Sequence, residues 1–337
     1  MKVKLLILAS CAISFGIGFM VGQIVLIRTQ KPAGIVKEVI DRSLDKYALD
    51  NLAKSDIGEA NLQIEKELKV YPNFTSNEFI LEFSPNLDKK TMKKVSGMIN
   101  IPHTERGNGK YPVIVMLRGF VSPADYFIGN GTINAAIFFA NNGFITVSPD
   151  FLGFGDSDSE PENIFEARFQ TYTTTLALLK SIKSLNGWNQ KDIFIWGHSN
   201  GGQIALTTLE VTGASYPTVL WAPVSVSFPF SILYFTDEAD DKGKFLRQEL
   251  AKFEEVYDTE LYSLTNYLGR VKAPIQLNQG SMDTAVPMSW SNSLAEALEK
   301  LDQEVRYTKY PGADHAMAPL WNTVIQQDLE FFEKNLK

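Results

Sequence analysis

The chain has 337 residues, 45% hydrophobic and 21% charged, which is the balance of a folded protein and excludes a disordered, collagen-like or polytopic membrane chain. Asp and Glu outnumber Lys and Arg 39 to 32, and a net charge of −7 without a Lys/Arg block excludes a nucleic-acid binder of the usual basic kind. A single cysteine excludes a disulfide framework and a thiolate metal cluster, and any imidazole chemistry must choose among His103, His198 and His315.

Residues 1–4 are a short tail holding Lys2 and Lys4. The 23 residues 5–27 are uncharged and mostly apolar. As a helix they reach about 34 Å at ~1.5 Å per residue, against a hydrocarbon core of ~30 Å. No Ala-x-Ala-like site follows Ile27, so the stretch reads as an uncleaved transmembrane signal anchor. Leu8-Ala9-Ser10-Cys11 resembles a lipoprotein cleavage box, but residues 12–27 would remain hydrophobic after cleavage there. Basic residues flank both ends: Lys2 and Lys4 before, Arg28, Lys31 and Lys37 after. By analogy with signal anchors, the expectation is a single-pass membrane protein with its bulk outside the cytoplasm. Residues 28–75 read as a helical stalk. Ile35, Val36, Val39, Ile40, Leu44, Tyr47, Ala48 and Leu52 recur at helical spacing, an apolar face that packs on the globular domain or on a second copy.

Residues 76–337 alternate strand and helix. Residues 79–83 and 95–101 look like paired antiparallel strands. Residues 113–117 form a continuous apolar run, as in a strand buried on both faces. A helix at 133–141, a strand at 144–147 and a long helix at 164–185 follow. Then come a strand at 193–196, a helix at 201–209, strands at 218–221 and 275–278, a helix at 289–301, a strand at 305–310 and a helix at 320–332. Alternation of this kind predicts an α/β fold, a mostly parallel sheet with helices on both faces. Residues 224–269 are an insertion that reads as a small helical cap. It holds Phe228, Phe230, Tyr234 and Phe235, an acidic run at 237–241, and an amphipathic helix with Phe245, Leu250, Phe253 and Tyr257. An apolar lining there favours an apolar group on the substrate.

The chemistry sits at Gly197-His198-Ser199-Asn200-Gly201-Gly202, between a buried-type strand and an apolar helix. This is the strand–turn–helix context of a nucleophile elbow. The turn strains Ser199, and Gly197 and Gly201 supply the small neighbours it needs. A serine hydroxyl requires a base, and the base requires an orienting carboxylate. In such a sheet the chain order is Ser, acid, His. His103 precedes the serine, and His198 lies inside the elbow, which leaves His315 as the base. Asp283 follows the strand 275–278 and is the acid. Asp314 adjoins His315, and Asp302 ends a helix, so both read as solvated charges. Two N–H donors are expected to face the oxyanion: Asn200, after the nucleophile, and Phe120, in the turn after strand 113–117.

Residues 76–337 resemble an α/β-hydrolase, on four motifs in order: Leu117-Arg118-Gly119-Phe120, Gly197-x-Ser199-x-Gly201, Gly280-x-x-Asp283-x-x-Val286-Pro287 and Gly312-x-x-His315. The segment 148–157 resembles that superfamily's structural loop. The doubled Gly201-Gly202 and the Asp283 loop are most similar to the catalytic domain of prolyl oligopeptidase-like, dipeptidyl peptidase-type serine peptidases. The resemblance departs in two places: Arg118 stands where a His is frequent, and there is no room for a β-propeller before the domain. It implies a serine hydrolase with an acyl-enzyme intermediate that acts on short peptides; the alternative is a carboxylesterase or lipase-like hydrolase of small or lipid esters. No dinucleotide fingerprint, phosphate loop or metal cluster occurs in the sequence, so no cofactor and no metal are expected. The expected partners are a small peptide or ester substrate and, through residues 5–27, a membrane.

Overall fold

One twisted sheet organises the computed structural model, which describes residues 41–103 and 110–337. Three strands form an antiparallel meander: β1 (Ala60–Val70), β2 (Phe74–Phe83) and β3 (Lys93–Pro102). Six follow: β4 (Tyr111–Leu117), β5 (Ile145–Pro149), β6 (Trp188–His198), β7 (Thr218–Trp221), β8 (Ile275–Gly280) and β9 (Val305–Tyr310). The spatial order is β1-β2-β3-β5-β4-β6-β7-β8-β9. β3 runs antiparallel to β5, and every later pairing is parallel. Strand order reverses around β4, the position at which α/β sheets place ligands.

The helices are α1 (Leu49–Leu52), α2 (Ile133–Asn141), α3 (Ile164–Ile182), α4 (Asn200–Thr212), α5 (Phe230–Leu233), α6 (Lys244–Glu254), α7 (Met288–Lys300) and α8 (Trp321–Lys334). Side-chain alternation along the sheet divides the core in two. On one face, Val113, Val115, Leu117 and Ile195 pack with Leu178 of α3, Leu206 of α4 and Leu298 of α7. On the other, Ile114, Met116, Phe194 and Trp196 pack with Phe139 of α2 and Phe332 of α8. All seven residues of β4 are buried, as a strand covered on both faces must be. The fold is that of an α/β-hydrolase.

The stalk expected over 28–75 differs from what is observed in the described part. Asp45–Tyr47 is a single 3₁₀ turn, Ala48 is extended at φ −54°, ψ 137°, and α1 is one turn. Leu44, Tyr47, Leu49 and Leu52 are nevertheless buried to within 3%. The cause is tertiary. Leu44 N–H donates to Tyr257 Oη at 3.2 Å, and Tyr262 Oη donates to the Leu44 carbonyl at 3.2 Å. The tyrosines of the insertion thus take the backbone groups that a continuous helix would pair with itself. Tyr47 Oη accepts from Gln170 Nε2 at 3.1 Å and lies 3.1 Å from Glu166 Oε1. Residues 60–70, also assigned to the stalk, are the edge strand of the sheet. Residues Arg42–Lys337 form one unit.

The transmembrane expectation for 5–27 lies outside the described residues. Among the described residues no helix is long and apolar enough to cross a membrane.

One buried acid stands out beneath β7 and β8. Asp328 of α8 is fully buried and accepts from Trp221 Nε1 at 2.6 Å, Gln276 Nε2 at 2.5 Å and Asn278 Nδ2 at 2.8 Å. Burial pushes its pKa up from 3.8 to about 7, and the three donors only partly offset that. The folded state therefore holds a proton that the unfolded chain releases. The contribution of this group to stability is present at low pH and is lost as pH rises from about 4 to about 7. Thermal melts across that window, comparing the natural chain with Asp328→Asn, should show the difference between them moving against the natural chain as pH rises. A difference independent of pH would mean that Asp328 is ionised throughout.

Candidate active site

Ser199 occupies the turn between β6 and α4 at φ 56°, ψ −119°. A non-glycine residue seldom adopts that conformation, and it persists only where the surroundings over-determine it. Here they do. Gly201 lies so close to the end of β4 that a Cβ on it would stand 1.9 Å from the Leu117 carbonyl oxygen. A Cβ on Gly197 would stand 2.6 Å from the Gly201 carbonyl oxygen. The helix start is thereby pressed onto the sheet, and Ser199 is left at its tip. The Ser199 carbonyl accepts from Gly202 N–H at 3.0 Å and Val224 N–H at 3.0 Å, which ties the turn to both α4 and the loop after β7.

Asp283 and His315 are brought together from separate loops. Asp283 Oδ1 accepts from the N–H groups of Ala285 and Val286, both at 2.9 Å. Oδ2 accepts from Gln279 Nε2 at 2.9 Å and from His315 Nδ1 at 2.8 Å. Burial raises the Asp283 pKa, but the His315 bond and the two backbone donors outweigh it and hold the carboxyl below its usual range. With Nδ1 donating to Asp283, Nε2 of His315 is the free acceptor. The two loops are clamped directly: Met282 N–H donates to the Ala313 carbonyl at 2.8 Å, and a Cβ on Gly280 would stand 2.4 Å from that oxygen. No hydrogen bond within 3.5 Å joins Ser199 Oγ to His315 among the described residues.

His198, set aside as merely internal to the elbow, has a definite place. Its Nε2 lies 3.0 Å from the His315 carbonyl, which can only accept, so Nε2 carries the proton. Its ring lies 4.5 Å from the His315 ring. Burial first, and the His315 charge second, push its pKa down to about 4, so it is neutral near pH 7. His103 is exposed and bonds Thr75 Oγ1 at 2.6 Å, away from the elbow. Asp314 accepts from Ala316 and Ala318 N–H, both at 2.9 Å, and shapes the His315 loop rather than orienting its ring.

The turn after β4 lies beside Ser199: a Cβ on Gly119 would stand 3.0 Å from Ser199 Cβ. Phe120 and Asn200 line one pocket. Neither N–H has a protein acceptor among the described residues, so both are available to a ligand. Arg118, in the place where a histidine is frequent, is buried among aromatic rings. It is 6% exposed, and its guanidinium lies 4.1 Å from the Phe154 ring centre and 4.9 Å from that of Tyr126. It donates to the Gly119 carbonyl at 3.0 Å and the Asp150 carbonyl at 2.9 Å. In the segment 148–157, Asp150 is buried and bonds Ser96 Oγ at 2.6 Å, while Phe151, Leu152 and Phe154 line the pocket that holds Phe120 and Asn200.

The sequence profile of the prolyl oligopeptidase family (Peptidase_S9) matches residues 132–337, a span that contains Ser199, Asp283 and His315. The chain belongs to that family, and it is a serine hydrolase. It is 25% identical over 231 residues to the "Uncharacterized peptidase YtmA" of Bacillus subtilis (strain 168), covering 67% of this chain and 84% of that protein. Among solved structures, the acetyl xylan esterase from Paenibacillus sp. R4 shares the fold with a TM-score of 0.63 at 18% identity, over 88% of this chain and 95% of that one. A puromycin-hydrolyzing peptidase of Mycobacterium tuberculosis shares it with a TM-score of 0.56 at 14% identity, over 78% of this chain and 45% of that one. The family match begins after Phe120, so the turn beyond β4 rests on geometry alone.

The elbow packing gives a direct test. Gly201→Ala should abolish activity and lower the melting temperature sharply, because the displaced atom is backbone and cannot yield. Gly269→Ala, where a Cβ would meet nothing nearer than 3.9 Å, should melt within a few degrees of the natural chain. Equal melts for the two would show that α4 does not depend on this contact.

Proposed function

We propose that the chain is a serine peptidase acting on short peptides, with Ser199 as nucleophile, His315 as general base and Asp283 as its orienting acid. The observation that carries this reading is the pairing of a strained serine at a strand–turn–helix junction with a His315–Asp283 couple whose outer ring nitrogen is free. In the proposed cycle His315 Nε2 takes the Ser199 Oγ proton as Oγ attacks the substrate carbonyl. The oxyanion is held by the N–H groups of Phe120 and Asn200. Collapse breaks the C–N bond, and His315 gives the proton to the departing amine. Water then attacks the acyl-enzyme by the same route and frees Ser199.

Several features support short chains. The described strands all lie in one sheet, so they build no propeller to gate larger substrates. Size selection falls to the insertion at 224–269. Its second half is core: Leu250, Phe253 and Tyr262 are buried against Phe165 and Phe169 of α3. Its first half presents Phe230, 47% exposed, and Tyr234, 42% exposed, beside Trp290. That ledge hangs from the loop that Val224 ties to Ser199, and it suits an apolar group next to the scissile bond. Of the acidic run, Asp241 is occupied in capping, accepting from Gly243 and Phe245 N–H, both at 2.8 Å.

A second reading is a carboxylesterase, since ester and amide share the acyl-enzyme. What favours it is the likeness of fold, over 95% of its length, to an acetyl xylan esterase. We further propose that residues 5–27 anchor the chain in a membrane with the catalytic unit outside the cytoplasm.

Ser199→Ala should abolish labelling by a fluorophosphonate probe and lower turnover by several orders of magnitude; persistent labelling places the nucleophile elsewhere. Aminoacyl anilides and matched esters, assayed side by side, separate the two substrate readings, and ester cleavage without detectable amide cleavage selects the second. Removing residues 1–30 should release a soluble, active enzyme, while the full chain should resist alkaline carbonate extraction. Full-length chain in the soluble fraction would refute the anchor.

A further inference from the structure

A pocket of about 300 Å³ opens beside the nucleophile turn, with Phe120 and Asn200 at one end. It follows α4 as far as Ile204 and α3 past Arg168, so it lies apart from the aromatic ledge of the insertion. Phe151, Leu152, Phe154 and Ile164 give it apolar walls, but it is also lined by two cations, Arg118 and Arg168. Each guanidinium carries a buried Nε–H with no acceptor. Arg118 donates from Nη1 to the Gly119 carbonyl and from Nη2 to the Asp150 carbonyl. Arg168 bonds Gln203 Oε1 through Nη2. Gln203 is itself fixed, donating from Nε2 to Tyr172 Oη at 2.9 Å. One turn of α4, a rise of ~6 Å, separates Gln203 from Ser199. Arg168 and Asn200, the residue after Ser199, thus line one pocket.

Neither arginine forms an ion pair within 4.0 Å among the described residues. One carboxylate, Glu160, lines the same pocket, and it is exposed, so water screens it. Arg118 feels the buried Asp150 carboxylate, whereas Arg168 is half-withdrawn from water with no carboxylate within 4.0 Å among the described residues. Such an arrangement is unfavourable unless a ligand completes it. A guanidinium fork matches a carboxylate in shape, charge and donor geometry.

We propose that this pocket is a carboxylate subsite, and that preferred substrates place a carboxylate against Arg168 when their scissile carbonyl is at Ser199. The inference rests on the Ser199 reading above and names the substrate class for that same site. The carboxylate has two possible sources: the far end of a short dicarboxylic acyl group, or the free C-terminus of a short peptide.

The test uses two matched pairs on the full chain in detergent. One pair is 4-nitrophenyl hydrogen succinate against the 4-nitrophenyl ester of monomethyl succinate. The other is Ala-Ala-Phe with a free against an amidated C-terminus. The expected result is a kcat/KM preference of about 10- to 100-fold for the charged member of one pair, the size of a charge-assisted hydrogen bond. Which pair shows it identifies the source. In Arg168→Met the ratio should collapse to near unity, Arg168→Lys should retain part of it, and thermal melts should confirm that both variants fold. High salt should shrink the ratio. Parity in both pairs with the natural chain, or a preference that survives Arg168→Met, overturns the proposal. Turnover or fluorophosphonate labelling unchanged in Ser199→Ala overturns the Ser199 reading, and the subsite as argued falls with it.

Discussion

The contact between the start of α4 and the end of β4 governs this molecule. Backbone meets backbone there: Gly201 sits on the Leu117 carbonyl with no room for a side chain. That approach is what holds Ser199 at φ 56°. It also brings the turn after β4 beside the serine, so that Phe120 and Asn200 come to line one pocket. One steric fact therefore sets the strain at Ser199 and the approach of Phe120 and Asn200. The energy that maintains it comes from the two apolar faces of the sheet, since β4 and β6 are buried from both sides.

The other half of the site uses a different device. Asp283 and His315 stand on loops after β8 and β9, and loops are not rigid by themselves. They are made so by backbone bonds between them, by the Gly280 approach, and by His198, which reaches from the elbow to the His315 carbonyl. The proton on His198 Nε2 therefore couples the serine turn to the histidine loop. Because burial keeps that ring neutral near pH 7, the coupling adds no second charge beside His315.

The two halves of the insertion pack differently. Tyr257 and Tyr262 grip the backbone of Leu44, and Phe253 packs under them on α3. Phe230 and Tyr234 remain exposed, beside Trp290. Under the proposed function, the exposed aromatics of the insertion and the pocket that holds Arg118 and Arg168 are two surfaces of unlike chemistry.

Much of this was legible in the sequence. The continuous run at 113–117, the three-and-four spacing after Ile164 and the alternation of strand and helix gave the sheet and its helices, because burial on both faces leaves a strong apolar signature. Gly197, Ser199 and Gly201 announced the strained turn, since only small residues tolerate it. Chain order and the shortage of histidines pointed to Asp283 and His315, which the structure joins at 2.8 Å. What the sequence could not decide depended on partners far away in the chain. Helical spacing at Leu44, Tyr47 and Leu52 was real, yet two tyrosines more than 200 residues later claim the backbone and break the helix. Arg118 stood out only as a departure from the family pattern and Arg168 carried no signal, until the tertiary structure placed both in one pocket; His198 and Asp328 gained their places only from what packs against them. Periodicity records which face a residue buries; it carries no record of which distant group will meet it there.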